Sequence, residues 1–341
     1  MKKLSVLLLG WEFPPKINGE VGIACYGVTK ALANQVNLSL ILPKSDPEFI
    51  LKNVDLTGLN NVNLRTIETP APDPEFSAFA KTTLSHQNDI PLYGVATTTL
   101  QEEEQIKPPV LPGQTTTVGT FASEEEYSEV VQSVEELNIF GQTDLSLVDY
   151  NSQVIHFARY ASRLASQKVY DVIYAYDWMT FLAGIELKLV SGKPLVLHMH
   201  SLSIERGGPD AKGWVYGLEK QALEKADFII AGTDNIANII IAEYGILPTK
   251  IKSLQTEEEL DNVFAANDVT TTDEQLPAEE IADEIYNMEI SESNNDVVKT
   301  LLPVTEEYLK NSEEKWEATA AIVLDVLEEV KANVEALTEY K

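Results

Sequence analysis

Three loops hold the residues whose types and spacing could do chemistry. The first runs Gly10-Trp11-Glu12-Phe13-Pro14-Pro15-Lys16-Ile17-Asn18-Gly19-Glu20-Val21-Gly22 and opens onto an amphipathic stretch. Glycines there let backbone approach a ligand closely, and the free N–H groups of a helix start attract anions such as phosphate. The G-x-G-x-x-G spacing of a dinucleotide site is absent, and a turn needing positive φ explains the same glycines. The second loop is Tyr174-Ala175-Tyr176-Asp177-Trp178. Asp177 can cap the following helix or meet a ligand, while Tyr176 and Trp178 can stack on a sugar face or fill the core. The third is His198-Met199-His200-Ser201-Leu202-Ser203-Ile204-Glu205-Arg206-Gly207-Gly208. Alternate residues of a strand share a face, which would point both histidines one way. His200 suits a hydrogen bond to a sugar hydroxyl or phosphate, and Arg206 suits a clamp on an anion. The plainer alternative is a surface Glu205–Arg206 pair beside a core histidine. His86 and His156 are the remaining histidines, too few with the right company for a metal site, so no metal is expected.

These loops need strands and helices to hold them. Leu4–Leu9 reads as a buried strand, Ile23–Asn34 as a helix, Val36–Leu42 as a second strand and Asn63–Glu68 as a third. Residues 69–123 are rich in Pro, Thr, Ser and Gly, with little periodicity, and form a long loop excursion. Helices are expected at Glu124–Leu137 and Ser152–Lys168, followed by a strand at Asp171–Tyr174. Helix Phe181–Val190, strand Pro194–His200, helix Gly213–Lys225, strand Phe228–Ala231 and helix Asn235–Tyr244 complete the series. Such alternation predicts an α/β fold with a doubly wound parallel sheet, whose ligands sit beyond the carboxyl ends of the strands. Beyond Leu254 the strand pattern stops. Glu257–Ala266 and Glu279–Met288 read as short acidic helices, and residues 315–337 as a long amphipathic one, with Trp316, Ala320, Val323, Leu327 and Val330 at helical spacing.

Charge divides the chain in the same place. Its 341 residues carry 54 acids against 25 bases, a net −29. After Leu254 there are 24 acids against 5 lysines, so the first 254 residues hold only −10, together with all four arginines, Arg65, Arg159, Arg163 and Arg206. So anionic a chain should repel nucleic acid and anionic membrane surfaces. One cysteine, Cys25, excludes an internal disulfide framework and suits a reducing cytoplasm. Met1-Lys2-Lys3 before an apolar run mimics a secretion signal, but the run is short and lacks a cleavage site, so it reads as the first strand. No apolar stretch approaches the roughly 20 residues that span a bilayer.

The ordered motifs together resemble a known family. Gly10-Trp-Glu-Phe-Pro-Pro…Gly19…Gly22…Ala24-Cys25-Tyr26-Gly27…Thr29-Lys30-Ala31-Leu32 looks like the amino-terminal domain of bacterial glycogen/starch synthase-like glycosyltransferases. Asp171-Val-Ile-Tyr-Ala-Tyr-Asp177-Trp178-Met179-Thr180 is similar to their DVIHAHDW segment. Gly192-Lys193-Pro194…His198-Met-His200-Ser201, Glu219-Lys220…Ala226-Asp227 and Glu243-Tyr244-Gly245-Ile246 match the segments that follow. The resemblance covers most of residues 1–254. It implies half of a GT-B fold, in which a Rossmann-like amino-terminal domain holds the acceptor and a second domain holds the nucleotide-sugar. It further implies retaining, metal-independent hexosyl transfer to a glucan or other glycan acceptor, with UDP- or ADP-glucose as donor and no other cofactor.

By position, the resemblance makes His200 and Asp177 catalytic and places Gly19, Glu20 and Gly22 at the donor phosphates. Tyr176, Trp178, Glu205 and Arg206 are then the acceptor and sugar contacts. Three departures stand out. Glu20 replaces a loop glycine, putting a carboxylate where a pyrophosphate would approach. Tyr174 and Tyr176 replace two histidines. Residues 255–341 form an acidic helical extension where a donor-binding domain is expected. The chain is therefore read either as a transferase, completed by a partner chain that supplies the donor domain, or as a non-catalytic glycan-binding or regulatory module. A third reading, an interaction protein built on the acidic extension, rests on charge alone. The terminal helix resembles one that packs back on the first domain in such enzymes.

Overall fold

The computed structural model describes residues 3–15, 20–63, 139–141, 148, 150–208, 210, 212–254 and 313–339. Seven parallel strands form one sheet: β1 (Ser5–Leu9), β2 (Asn37–Leu42), β3 (Val54–Gly58), β4 (Val172–Tyr176), β5 (Leu195–Met199), β6 (Phe228–Ala231) and β7 (Ile251–Ser253). Their order is β3-β2-β1-β4-β5-β6-β7. The fully buried runs SVLLL, VIYAY and LVLHM make the three central strands, as expected where helices cover both faces of a parallel sheet. The order reverses between β1 and β4, so the topological switch point, where ligands of such sheets bind, lies beyond the carboxyl ends of these two strands.

The helices are α1 (Glu20–Leu32), α2 (Tyr150–Ala165), α3 (Trp178–Ser191), α4 (Ser203–Gly207), α5 (Trp214–Lys225), α6 (Asp234–Tyr244) and α7 (Glu313–Glu339). One core joins α2, α3, α5 and α6 to one face of the sheet through Phe157, Phe181, Leu218 and Ile240. A second core covers the opposite face. There α1 and α7 close over Leu8, Leu40, Tyr174, Val196 and Ile230.

Helix ends follow local chemistry. Thr233 accepts the N–H of Ile236 at 3.2 Å and starts α6, while Gly192 (φ 66°) and Gly245 (φ 72°) end α3 and α6 in the left-handed conformation that glycine takes without strain.

The acidic carboxyl-terminal helix belongs to this fold. Ala320, Val323, Val326, Leu327 and Val330 are buried in the second core. The Trp316 ring lies on Gly27 of α1, where an added Cβ would meet it at 2.4 Å. Lys331 reaches Asp171 at 3.5 Å, and Asp171 in turn accepts the N–H of Ser5 at 3.0 Å. Detachment of Trp316 would have argued against a helix that packs back; here the ring is part of the packing.

The structure corrects several boundaries. A strand at Val54–Gly58 was not anticipated; the sequence VDLTG hides it, because an edge strand buried on one side needs few apolar residues. Of the expected strand Asn63–Glu68, Asn63 is outside any strand and residues 64–68 lie outside the described residues. Helix α1 starts at Glu20, three residues before the expected Ile23, so Glu20 and Gly22 stand in its first turn. Helix α2 ends at Ala165, where Lys168 was expected. Strand β5 ends at Met199, so the alternation that would put His198 and His200 on one face stops before His200. Strand β7 and helix α4, three and five residues long, were not anticipated. The expected elements at Glu124–Leu137, Glu257–Ala266 and Glu279–Met288, and the 69–123 excursion, lie outside the described residues. Among the described residues, no helix is long and apolar enough to cross a membrane.

Two predictions concern this scaffold. Gly27→Val should destabilise the protein by about 1–3 kcal/mol by overpacking against Trp316, read as a lower urea midpoint with red-shifted Trp fluorescence. The second concerns the α2–α3 interface, where Glu186 is buried and burial raises its carboxyl to about 7, against the pull of Arg159 at 3.7 Å. A raised acid pKa stabilises the fold fully below the unfolded value near 4.5, and that contribution is lost as pH rises through about 7. Glu186→Gln should therefore flatten part of the loss of unfolding free energy between about pH 5 and about pH 8, measured by urea denaturation at both.

Candidate functional site

The switch point beyond β1 and β4 is built around Asp177. It follows the last residue of β4, and its N–H donates to the His198 carbonyl at 2.9 Å, joining the ends of β4 and β5. Its backbone has φ 63° and ψ 163°, a region that residues with a Cβ rarely occupy and that costs of order 1–3 kcal/mol. Strain of this kind persists only where surrounding structure enforces it, and it concentrates at functional sites. Here the enforcement comes from Thr180, whose N–H and Oγ1 bond the Asp177 carbonyl at 3.0 and 2.9 Å, and from the β5 contact.

The Asp177 side chain is 2% exposed. It stands at the start of α3 without the usual N-cap side-chain bond; the N–H of Trp178, the helix's first residue, acts on its carboxyl instead. Backbone N–H groups of Trp178 and His200 donate to the carboxyl, while Oδ1 is buried and accepts no hydrogen bond from the described residues. Burial raises this carboxyl to about 7; Arg206 and the two backbone donors pull it down, and Glu219 pushes it up. An acid raised toward neutrality, with an unpartnered acceptor and a strained backbone, can exchange a proton or a hydrogen bond with a hydroxyl that reaches it.

His200 sits just past the end of β5, half-buried, with its backbone N–H on Asp177. Helix α4 follows at once. Glu205 turns back to accept the N–H of Leu202 at 2.9 Å and so caps its own helix. Arg206 pairs with Glu219 of α5 at 3.1 Å and also bonds Ser201 Oγ. Each of these contacts braces the turn that carries His200.

The remaining sequence candidates are placed as follows. Tyr176 is 2% exposed, with its ring centroid 4.2 Å from that of His198. Trp178 is 5% exposed and meets Trp214 edge-on at 6.3 Å. Both rings pack into the cores and expose little face for stacking on a sugar. His198 is buried as well, its Nδ1 2.5 Å from Tyr174 Oη, and burial holds it down at about 3, hence neutral. Cys25 lies below the same strands, its thiol pushed up to about 12 by burial and therefore inert. Gly22 is buried in the first turn of α1; Glu20 opens that helix, and Gly19 lies outside the described residues.

Glu219 escaped sequence reasoning as a site residue. One glutamate in so acidic a chain carries no signal, although it stood within a family-like segment. In the structure it is fully buried and accepts from Ser203 N, Ser203 Oγ, Tyr244 Oη and Arg206.

Comparison with known proteins agrees with this geometry. Residues 114–255, which include the strands from β4 to β7, match the model of Glycosyltransferase Family 4. A D-inositol 3-phosphate glycosyltransferase of Kribbella flavida is 28% identical over 134 residues, 36% of this chain and 31% of the relative. The corresponding enzyme of a Nocardioides species is 28% identical over 137 residues, 37% of this chain and 30% of its own. The chain thus spans about a third of the length of the curated relatives it matches. The seven-stranded parallel sheet, with its switch point at the β1/β4 reversal, and the family match together support a Rossmann-like domain of a GT-B glycosyltransferase.

Proposed function

We propose that this chain is the acceptor-side half of a retaining hexosyltransferase of the glycogen/starch synthase-like type, working on a glycan acceptor with a nucleotide-sugar such as UDP- or ADP-glucose. The observation that carries the reading is Asp177: a buried carboxyl with an open oxygen and a neutral-range pKa, at the carboxyl edge of the sheet where ligands of such folds bind. In the transfer, the bond from the anomeric carbon to the nucleotide's phosphate oxygen breaks. A bond to the acceptor hydroxyl oxygen forms on the same face, and the hydroxyl proton leaves with the phosphate. Asp177 and the His200 imidazole would orient sugar hydroxyls around that carbon, and the free N–H groups at the start of α1 would face the phosphates. No metal is required by this scheme.

A neutral glycan fits better than a phosphorylated polyol such as the D-inositol 3-phosphate in the relatives' names. Among the described residues, the cation that acts on Asp177 is Arg206, and it already faces the buried carboxylate of Glu219, which leaves less positive potential for a phosphate. A second reading, a glycan-binding module without transferase activity, is favoured by one fact: beyond Leu254, where donor phosphates would need cations, the chain carries 24 acids and 5 lysines. Under the first reading a partner chain supplies the donor domain in the cytoplasm.

Thermal-shift titration separates the two, since a ligand that binds the native state raises Tm. Stabilisation by UDP- or ADP-glucose, with transfer to a maltooligosaccharide, supports the enzyme. Stabilisation by the maltooligosaccharide alone supports the module, and a response to D-inositol 3-phosphate alone rejects the neutral acceptor. In an active preparation, His200→Ala should lower kcat by about 10²-fold or more; an unchanged rate would remove His200 from the site. Asp177→Asn should cut transfer similarly while stabilising the fold above about pH 7, by roughly 1–4 kcal/mol, because the cost of ionising a buried carboxyl disappears. The gain should vanish below about pH 4, as measured by urea denaturation across that range.

A further inference from the structure

Glu219 is the buried charge that the proposed transfer leaves unused. It has no exposed surface, and it is held by four donors on two elements. Ser203 gives its N–H at 2.9 Å and its Oγ at 2.6 Å, Tyr244 of α6 gives its Oη at 2.6 Å, and Arg206 gives Nη2 at 3.1 Å. A burial this complete is tolerated for a carboxylate only because these donors replace water. Three of the four come from α4, the short helix that begins three residues after His200. The fourth ties Oε2, which also takes the Ser203 hydroxyl, to the far end of α6.

The consequence for the site is electrostatic as well as mechanical. Arg206 binds Ser201 Oγ with one nitrogen and Glu219 with the other, so its guanidinium is fixed on the His200 turn. The groups that act on the Asp177 carboxyl come from several elements: Arg206 of α4 and the N–H groups of Trp178 and His200 favour its ionised form, and Glu219 of α5 opposes it. Cys25 of α1 and Tyr176 of β4 are also nearby, and burial keeps both protonated, so neither adds charge. Among the described residues, one cation and one anion are therefore seen to act on Asp177, and they are ion-paired to one another.

We infer that Glu219 is a positioning residue, which clamps the His200–Gly207 turn to α5 and α6 and sets, through its pair with Arg206, the net charge that Asp177 meets. Its importance to the chemistry rests on Asp177 lying in the site proposed above; the clamp itself does not, and it can be read without any sugar.

The test is a carboxyl-carbon NMR titration of Asp177 in the full chain, assigned by loss of the signal in Asp177→Asn. Glu219→Gln keeps the shape and removes the charge, and it should move the Asp177 midpoint down by about one pH unit, a tenfold change in its protonation. Arg206→Gln, at a partly exposed guanidinium, should move the midpoint up by a similar amount while leaving the Ser203 amide protected from hydrogen exchange by Glu219. Opposite shifts support the inference. An unmoved midpoint in Arg206→Gln, or in a folded Glu219→Gln, overturns it, as does a Ser203 amide that exchanges no faster in a folded Glu219→Ala than in the parent. If Glu219→Gln does not fold by circular dichroism, Arg206→Gln decides: a raised midpoint with Ser203 still protected upholds the clamp, and any other result rejects it. Because no donor or acceptor is added, failure here is distinguishable from failure of the glycosyl-transfer reading, which the thermal-shift titration tests alone.

Discussion

A sheet of parallel strands has no face that it can leave in water, because its central strands are apolar on both sides. That constraint organises this molecule. Leu7 and Leu9 point into one core and Val6 and Leu8 into the other, so each face of β1 must be roofed. Helices α2, α3, α5 and α6 roof one face. On the other, α1 covers the side toward β2, and the area over β4 and β6 is covered by α7, drawn from the far end of the chain. Nothing local to β4, β5 or β6 provides that cover among the described residues. The acidic terminal helix is therefore a structural layer, whose charges face outward while Val323, Leu327 and Val330 face the sheet.

The same constraint makes the site. Burying both faces leaves the strand ends as the places where polar groups can gather, and the reversal between β1 and β4 sets the switch point among them. Asp177 is held there in a strained conformation by bonds to β5 and within the first turn of α3. Burial that stabilises the sheet is also what raises its carboxyl toward neutrality. Fold stability and site chemistry thus draw on one cause, and they oppose each other at Asp177: what makes the acid useful also makes it costly to ionise.

Much of the fold was legible in the chain. Runs such as Val6-Leu7-Leu8-Leu9 and Leu195-Val196-Leu197, separated by helical periods, admit little but a parallel α/β sheet. Strand β3 and strand β7 were hidden, since edge strands are short and buried on one side, and their composition does not differ from loop. In the site, Asp177 and His200 could be picked out by their places after strands. The fates of Tyr176 and Trp178 could not, because an aromatic beside a catalytic position reads the same whether it faces ligand or core. Glu205 and Arg206 looked like partners because they are adjacent, yet the helical turn sends one to its own N-terminus and the other to α5.

By itself, then, the sequence determined the layer architecture, the edge of the sheet where ligands meet it, and the segments that resemble glycosyltransferases, since all three follow from periodicity and local spacing. Only the tertiary structure decided that Asp177 is strained, buried and open at one oxygen, that Glu219 holds the His200 turn, and that α7 closes the second core through Trp316 on Gly27. Each of these depends on contacts between residues far apart in the chain, and neither composition nor spacing encodes which distant group will supply the missing hydrogen bond, charge or apolar surface.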